Sequence, residues 1–228
     1  IFGQLYKVRF LNKKIVPLYT GVSDFEPLID SNIRQELSLS EEDIVFIMAS
    51  NIVYGKRQID LIKAVENITL WNTGVHLLIA GSPVQSNRES VEYFDMIYSY
   101  AVSNKLLDKV HFLGWRSDLR DVLKQADVYL SSSASESLPD AVREGMLASL
   151  PIVATNVGGS SELVTEGVNG YLYESGDLQS LIENMETLIN KPSLRKSMGV
   201  ESRKIIDTRF STKAYANNFE NMIENLNC

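Results

Sequence analysis

The chain carries a series of short, almost wholly apolar runs, and between them lie segments whose apolar residues recur at helical spacing. The runs are residues 44–49 (IVFIMA), 75–80 (VHLLIA), 110–113 (VHFL), 128–131 (VYLS), 151–155 (PIVAT) and 170–173 (GYLY). A run this short and this apolar reads as a strand buried on both faces. The intervening helical segments fall at residues 59–68, 86–103, 119–125 and 161–164. A further short helix is expected near 34–37, and three helices close the chain at about 178–190, 192–208 and 211–225. Strands that alternate with helices and end in Gly-closed turns predict an α/β fold, a parallel sheet with helices on both faces. In such a sheet, ligands bind outside the carboxyl ends of the strands, where strand order reverses.

The chain has 228 residues, enough for one large domain with extensions. A net charge of −7 argues against a general nucleic-acid binder, without opposing a local basic pocket for a phosphorylated small molecule. Cys228 is the only cysteine, so neither an internal disulfide nor a cysteine metal site is available, which suits a reducing compartment. No apolar run approaches the ~20 residues of a membrane-spanning helix, and the start has no signal-peptide pattern. The chain opens on Ile1 and runs into a mixed basic and aromatic stretch, residues 1–14, as an excised piece of a longer protein would. Residues 15–19 read as a short strand closed by Thr20-Gly21.

The stretch 131–159 concentrates the candidate chemistry. Glu136 and Glu144 stand with seven residues between them, and Pro139 follows the first. Pro favours the first helical position, so Glu136 is expected in the loop before a helix and Glu144 in its second turn. Glu144 falls beside Ala141, Val142, Leu147 and Ala148 on a helical wheel, where a carboxylate needs a hydrogen-bond donor. It could hold vicinal hydroxyls of a ribose, or pair at the surface with Arg143. Glu136 stands beside the free N–H groups of a helix start, where it could meet a sugar or serve as an acidic cap.

Three further places lie on the same predicted edge. Lys56 and Arg57, after the first core strand, could neutralise a phosphate or form a solvated basic pair. Gly114-Trp115-Arg116, after the third strand, could stack on a nucleobase; alternatively Trp115 packs on the surface and Arg116 pairs with Asp118. Gly158-Gly159 could approach a phosphate or form a tight structural turn. His76 and His111 lie in core strands and read as satisfied core histidines; no metal-ligand spacing and no nucleophile-plus-base arrangement is present.

In this order the residues resemble the group 1 glycosyltransferases, the retaining GT-B enzymes related to glycogen and sucrose synthases. The resemblance covers residues 15 onward and corresponds to the C-terminal, Rossmann-like domain that binds the nucleotide sugar. It rests on Tyr19-Thr20-Gly21-Val22, Gly55-Lys56-Arg57 with the helix after it, VHFLGWR (110–116), and the paired glutamates followed by PIVAT and Gly-Gly.

The resemblance implies two units: residues 1–14 from the interdomain region, and 15–228 as the nucleotide-sugar-binding domain with a helical C-terminal extension. Lys56 and Glu136 are then the catalytic residues, on the donor diphosphate and donor sugar. Leu138, Pro139 and Asp140 line the sugar subsite, Glu144 holds the ribose, and Arg116 and Trp115 face the base. Asn51 stands where the family often carries an arginine, and Arg57 is the candidate replacement. The reaction implied is transfer of a hexose-type sugar to an acceptor with retention, with no metal and no cofactor besides the donor. A non-catalytic sugar-nucleotide-binding module and another GT-B-like enzyme, such as an epimerase, are the competing readings. The partners implied are a nucleoside diphosphate sugar and the acceptor domain of the same protein. Nucleic acid is not among them. The place implied is cytoplasmic, with peripheral contact at the inner face of the membrane through the other half.

Overall fold

A computed structural model describes residues 18–23 and 31–226. The predicted segment 1–14, most of the predicted strand 15–19, and Cys228 lie outside the described residues.

Six strands form one parallel sheet: β1 (Ile44–Ala49), β2 (Val75–Ala80), β3 (Val110–Gly114), β4 (Val128–Ser131), β5 (Ile152–Thr155) and β6 (Gly170–Tyr173). Their spatial order is β3-β2-β1-β4-β5-β6, and every neighbouring pair is parallel. The chain therefore builds outward from β1 in one direction, returns, and builds outward from β4 in the other. The order reverses between β1 and β4, where the loops leaving adjacent strands diverge and open a crevice. This is the Rossmann-like arrangement expected from the alternating pattern.

The helices are α1 (Ile33–Glu36), α2 (Gln58–Thr69), α3 (Arg88–Ser103), α4 (Leu119–Lys124), α5 (Asp140–Leu147), α6 (Ser160–Leu163), α7 (Leu178–Asn190), α8 (Pro192–Ile205) and α9 (Thr212–Leu226). Alternation along each strand divides the core into two layers. Phe46, Met48, Leu77, Ile79, Leu130 and Val153 face α2, α3 and α7. Val45, Ile47, Ala49, Leu78, Tyr129 and Ile152 face α4, α5 and a turn after α8. All of these are buried, so both faces of the sheet are covered and most strand positions are apolar, with His76, Ser131 and Thr155 among the buried polar exceptions. Each fully buried Val, Leu, Ile or Phe contributes about 1.5–3 kcal/mol.

Two local differences from the sequence reading have physical causes. The expected helix 192–208 ends at Ile205 and continues as one turn of π-helix, Ile206–Phe210. Ile206 and Phe210 are both buried in this turn, and Phe210 packs edge-on against Tyr19. Pro139 is not the first helical residue but the N-cap, with extended backbone (φ −70°, ψ 111°). Its carbonyl still accepts the helix bond from the Arg143 N–H at 3.3 Å. Among the described residues, no helix is long and apolar enough to cross a membrane.

Candidate functional site

A cavity of about 360 Å³ opens at the carboxyl ends of β1 and β4, at the place where strand order reverses. Its walls come from the end of β1 and the loop after it (Ser50, Asn51, Lys56) and from the loop between β4 and α5 (Ser133, Glu136, Leu138, Pro139, Asp140). These include six of the residues singled out from sequence: Asn51, Lys56, Glu136, Leu138, Pro139 and Asp140.

Lys56 ends a single 3-10 turn, Tyr54–Lys56, and its ammonium donates to Glu136 Oε1 at 2.5 Å. The pair joins side chains 80 residues apart in sequence, one from each side of the crevice. Ser132 holds the lysine loop from below: its hydroxyl meets the carbonyls of Lys56 (2.7 Å) and Arg57 (3.1 Å). The Ala134 N–H donates to the Gly55 carbonyl at 2.8 Å, a second tie between the two loops. Gln58, fully buried at the start of α2, donates to the Ser50 hydroxyl and the Asn51 carbonyl, both at 3.0 Å. Thr155 Oγ1 donates to the Ser133 carbonyl at 2.7 Å, and the Tyr173 hydroxyl donates to the Ser131 carbonyl at 3.3 Å. Residues 131–133 are thus clamped by three different elements, which fixes where the loop bearing Glu136 leaves the sheet.

The Gly158-Gly159 turn closes the far side of that loop. Gly158 has φ +54°, and a Cβ there would lie 1.6 Å from the Glu136 carbonyl oxygen. A Cβ on Gly159 would lie 2.3 Å from the Ser137 oxygen, which instead accepts the Gly159 N–H at 2.6 Å. Only two residues without side chains allow this approach. The turn therefore supports the backbone of Glu136 and Ser137.

The amino end of α5 also faces the cavity, through Pro139, Asp140, Ala141 and Val142. The first N–H groups of a helix have no partner within it, and the dipole makes this end favourable for anions and hydroxyls. One turn further on, Glu144 is half-buried. Burial raises its pKa above the ordinary carboxylate value, opposed by the positive charges of Arg120 and Arg143. No hydrogen bond from the described residues reaches its carboxylate. The helix itself is seated by Gly145, where a Cβ would lie 2.7 Å from the Tyr129 ring. The Tyr129 hydroxyl in turn donates to the Ala49 carbonyl at 3.2 Å, tying α5 and β4 to the end of β1.

The other sequence candidates lie off the cavity lining. Arg57, in left-handed backbone (φ 52°), pairs with Asp60 at 2.7 Å, and its guanidinium lies against Gly176. Trp115 is 77% exposed at the end of β3, so no packing consumes its ring. Arg116 binds Asp118 through two hydrogen bonds (2.8 and 2.7 Å) and Glu36 through two more (2.9 and 3.0 Å). Asp118 is drawn well into its ionised form by this guanidinium. His76 and His111 meet at 3.1 Å on adjacent strands, a core pair remote from the crevice.

Sequence reasoning did not single out Ser132, Gln58, Tyr129 or Gly145 for the site. Ser132 and Tyr129 act through contacts 76 and 80 residues away, and Gln58 and Gly145 through the packing of neighbouring elements, so the local pattern carried no signal beyond the serine run 131–133 and the absence of a Cβ at 145.

The chain matches the family described as glycosyl transferases group 1 over residues 30–205. It is 28% identical over 196 residues to the capsular polysaccharide biosynthesis glycosyltransferase CapM of Staphylococcus aureus, covering 85% of this chain and 50% of CapM. It is 26% identical over 190 residues to the N-acetyl-alpha-D-glucosaminyl L-malate synthase of Bacillus anthracis, covering 83% and 48%. Among solved structures, Anabaena HepE in complex with UDP superposes with a TM-score of 0.77 at 25% identity, covering 85% of this chain and 51% of HepE. HepE is also known in complex with UDP-glucose. The chain spans about half the length of the curated relatives it matches.

Proposed function

The chain belongs to the glycosyl transferases group 1, and from that premise we propose that it is the donor-binding half of a retaining glycosyltransferase that uses a nucleoside diphosphate sugar. The observation that carries this reading is the Lys56–Glu136 pair, 2.5 Å across the crevice where strand order reverses. A cation and a carboxylate from opposite walls meet there beside an unpaired helix start.

Breaking the bond between a sugar's anomeric carbon and a diphosphate leaves negative charge on the leaving oxygens. In this reading the Lys56 ammonium and the first N–H groups of α5 stand where that charge develops, and fixed positive groups there lower the barrier. Glu136, released from Lys56 by the incoming diphosphate, turns to the donor sugar, and the N–H groups of Leu138 and Asp140 meet its hydroxyls. Glu144 takes the ribose hydroxyls, which supply the donors its half-buried carboxylate lacks. The base lies toward the end of β3. There the exposed Trp115 ring offers a stacking surface, and the Arg116 guanidinium, held by the carboxylates of Asp118 and Glu36, stands next to it in the chain. The acceptor and its binding surface belong to the rest of the enzyme. UDP bound to HepE supports the nucleotide part of the reading.

The test is the variant Glu136→Ala in the complete enzyme, assayed for sugar transfer from UDP-, GDP- and ADP-sugars. Transfer is expected from the wild type and lost in the variant. Undiminished turnover in the variant would remove Glu136 from the chemistry. Donor binding without transfer by the wild type would reduce the protein to a nucleotide-sugar-binding module.

A further inference from the structure

The cavity has a charge problem that Lys56 alone does not solve. Its lining holds one cation, Lys56, and two carboxylates, Glu136 and Asp140. A nucleoside diphosphate would enter a site whose walls are negative. Asn51, also in the lining, is neutral.

Behind the wall lies Arg143, 4% exposed and one turn along α5 from Asp140. Its Nη2 pairs with Asp140 Oδ1, and its Nη1 donates to the Thr20 carbonyl. Its Nε is buried and has no hydrogen-bond partner among the described residues. A buried guanidinium with an unpaired N–H is a costly occupant for a helix position flanked by Val142 and Met146. An apolar side chain there would serve stability as well or better, so packing does not account for the arginine. Its charge does. The guanidinium is shielded from water, whereas the Asp140 carboxylate it meets is 77% exposed, so solvent screens the pair from the carboxylate's side only. The field of the arginine bears on two carboxylates, Asp140 by contact and Glu144 at longer range.

We propose that Arg143 is a positioning residue that balances the charge of the donor site: it neutralises Asp140 at the rim of the cavity and anchors α5 to the segment 19–22. The inference rests on the donor reading above and adds to it a second cation close to the lining, since Arg57 of the loop after β1 is paired with Asp60 off the cavity. Arg143 does not touch the donor. It acts through Asp140, whose carboxylate would otherwise face the diphosphate. The anchoring is a second contribution of the same side chain. Tyr19 donates to Glu162 of α6, and Val22 exchanges backbone bonds with Phe210 and Thr212. Arg143 is the tie from this segment to the helix that carries Asp140 and Glu144.

The experiment titrates UDP, GDP and ADP into the 228-residue chain by calorimetry, then carries forward the diphosphate that binds best together with its uncharged nucleoside. Arg143→Leu is expected to weaken diphosphate binding about tenfold or more, the scale of one uncompensated charge near a dianion, while nucleoside binding changes less than about threefold. Adding Asp140→Asn, which removes the charge but keeps the N–H, is expected to restore most of the diphosphate affinity. Arg143→Leu binding the diphosphate as wild type would overturn the inference. So would equal loss of diphosphate and nucleoside, or failure of Asp140→Asn to rescue, since each is what a merely structural role gives. Thermal unfolding checks that the variants fold. Should the leucine variant unfold, Arg143→Lys decides. It keeps the charge and is expected to bind within about threefold of wild type, and a folded lysine variant that has lost diphosphate binding overturns the inference. Absence of binding by the wild type to any of the three diphosphates overturns the donor reading and the inference with it.

Discussion

Gly158→Ala places one methyl group where the structure has no room for it. The added Cβ would lie 1.6 Å from the Glu136 carbonyl oxygen, and φ at this position is +54°. Reaching ordinary van der Waals separation requires the two backbones to part by roughly 2 Å. Left-handed backbone costs a residue other than glycine about 1–2 kcal/mol. Overpacking against a backbone oxygen costs about 1–3 kcal/mol more. The loop cannot yield freely, because residues 131–133 are held by Ser132, Thr155 and Tyr173. A total of about 2–5 kcal/mol corresponds to a loss of about 5–15 °C in Tm for a domain of this size. The same displacement separates Glu136 from Lys56, and misplacement of a reacting group by ~1 Å costs about a hundredfold in rate. Thermal unfolding of the chain and donor turnover of the complete enzyme read the two effects. A variant that unfolds and turns over as wild type would refute the claim that the glycine turn supports the Glu136 loop.

Glu144 and the histidine pair give predictions whose sign follows from burial. The folded pKa of Glu144 lies above its ordinary value, so ionisation costs more in the fold than in the unfolded chain, and stability falls as pH rises through that pKa. Glu144→Gln should therefore raise the Tm of the free chain at pH 7 by on the order of a degree or two, while weakening nucleotide binding measured by calorimetry. An unchanged or lower Tm would mean that the carboxylate is paired after all. For His111, burial first and His76 second depress the pKa to about 4, and burial also lowers that of His76. The unfolded chain binds these protons nearer pH 6.5, so the stability is fully present above about 6.5 and is lost as pH falls toward about 4. Denaturant unfolding across that window should show the loss in the wild type and a shallower slope in His111→Phe.

Much of this fold is written in local pattern. The runs VHLLIA, VYLS and GYLY became strands over the expected residues, and α7 has its expected ends, because buried parallel strands and amphipathic helices are set by short-range periodicity. The two sides of the crevice were also legible, since Lys56 and Glu136 each follow a core strand. Their contact was not, because it depends on the β3-β2-β1-β4 order, which no local signal states. Arg143 shows the same limit. Sequence offered it as a surface partner of Glu144, but it lies buried against Asp140 and Thr20. The Arg116–Asp118 pair, the alternative to a base-facing role, is present, with Glu36 added from 80 residues away. The π-helical turn at Ile206–Phe210 also escaped, since nothing in the local pattern of its residues marks it, and Phe210 packs there on Tyr19 from far along the chain.

The central claim is that Lys56 and Glu136 line a site for a nucleoside diphosphate sugar. Calorimetric titration of the chain and of Lys56→Ala with UDP-, GDP- and ADP-glucose tests it most directly. The account predicts that at least one donor binds the wild type with one site per chain, and that Lys56→Ala loses about tenfold or more in affinity, the worth of a charge-assisted contact to phosphate. Binding of equal strength to both proteins, or to neither, would contradict it.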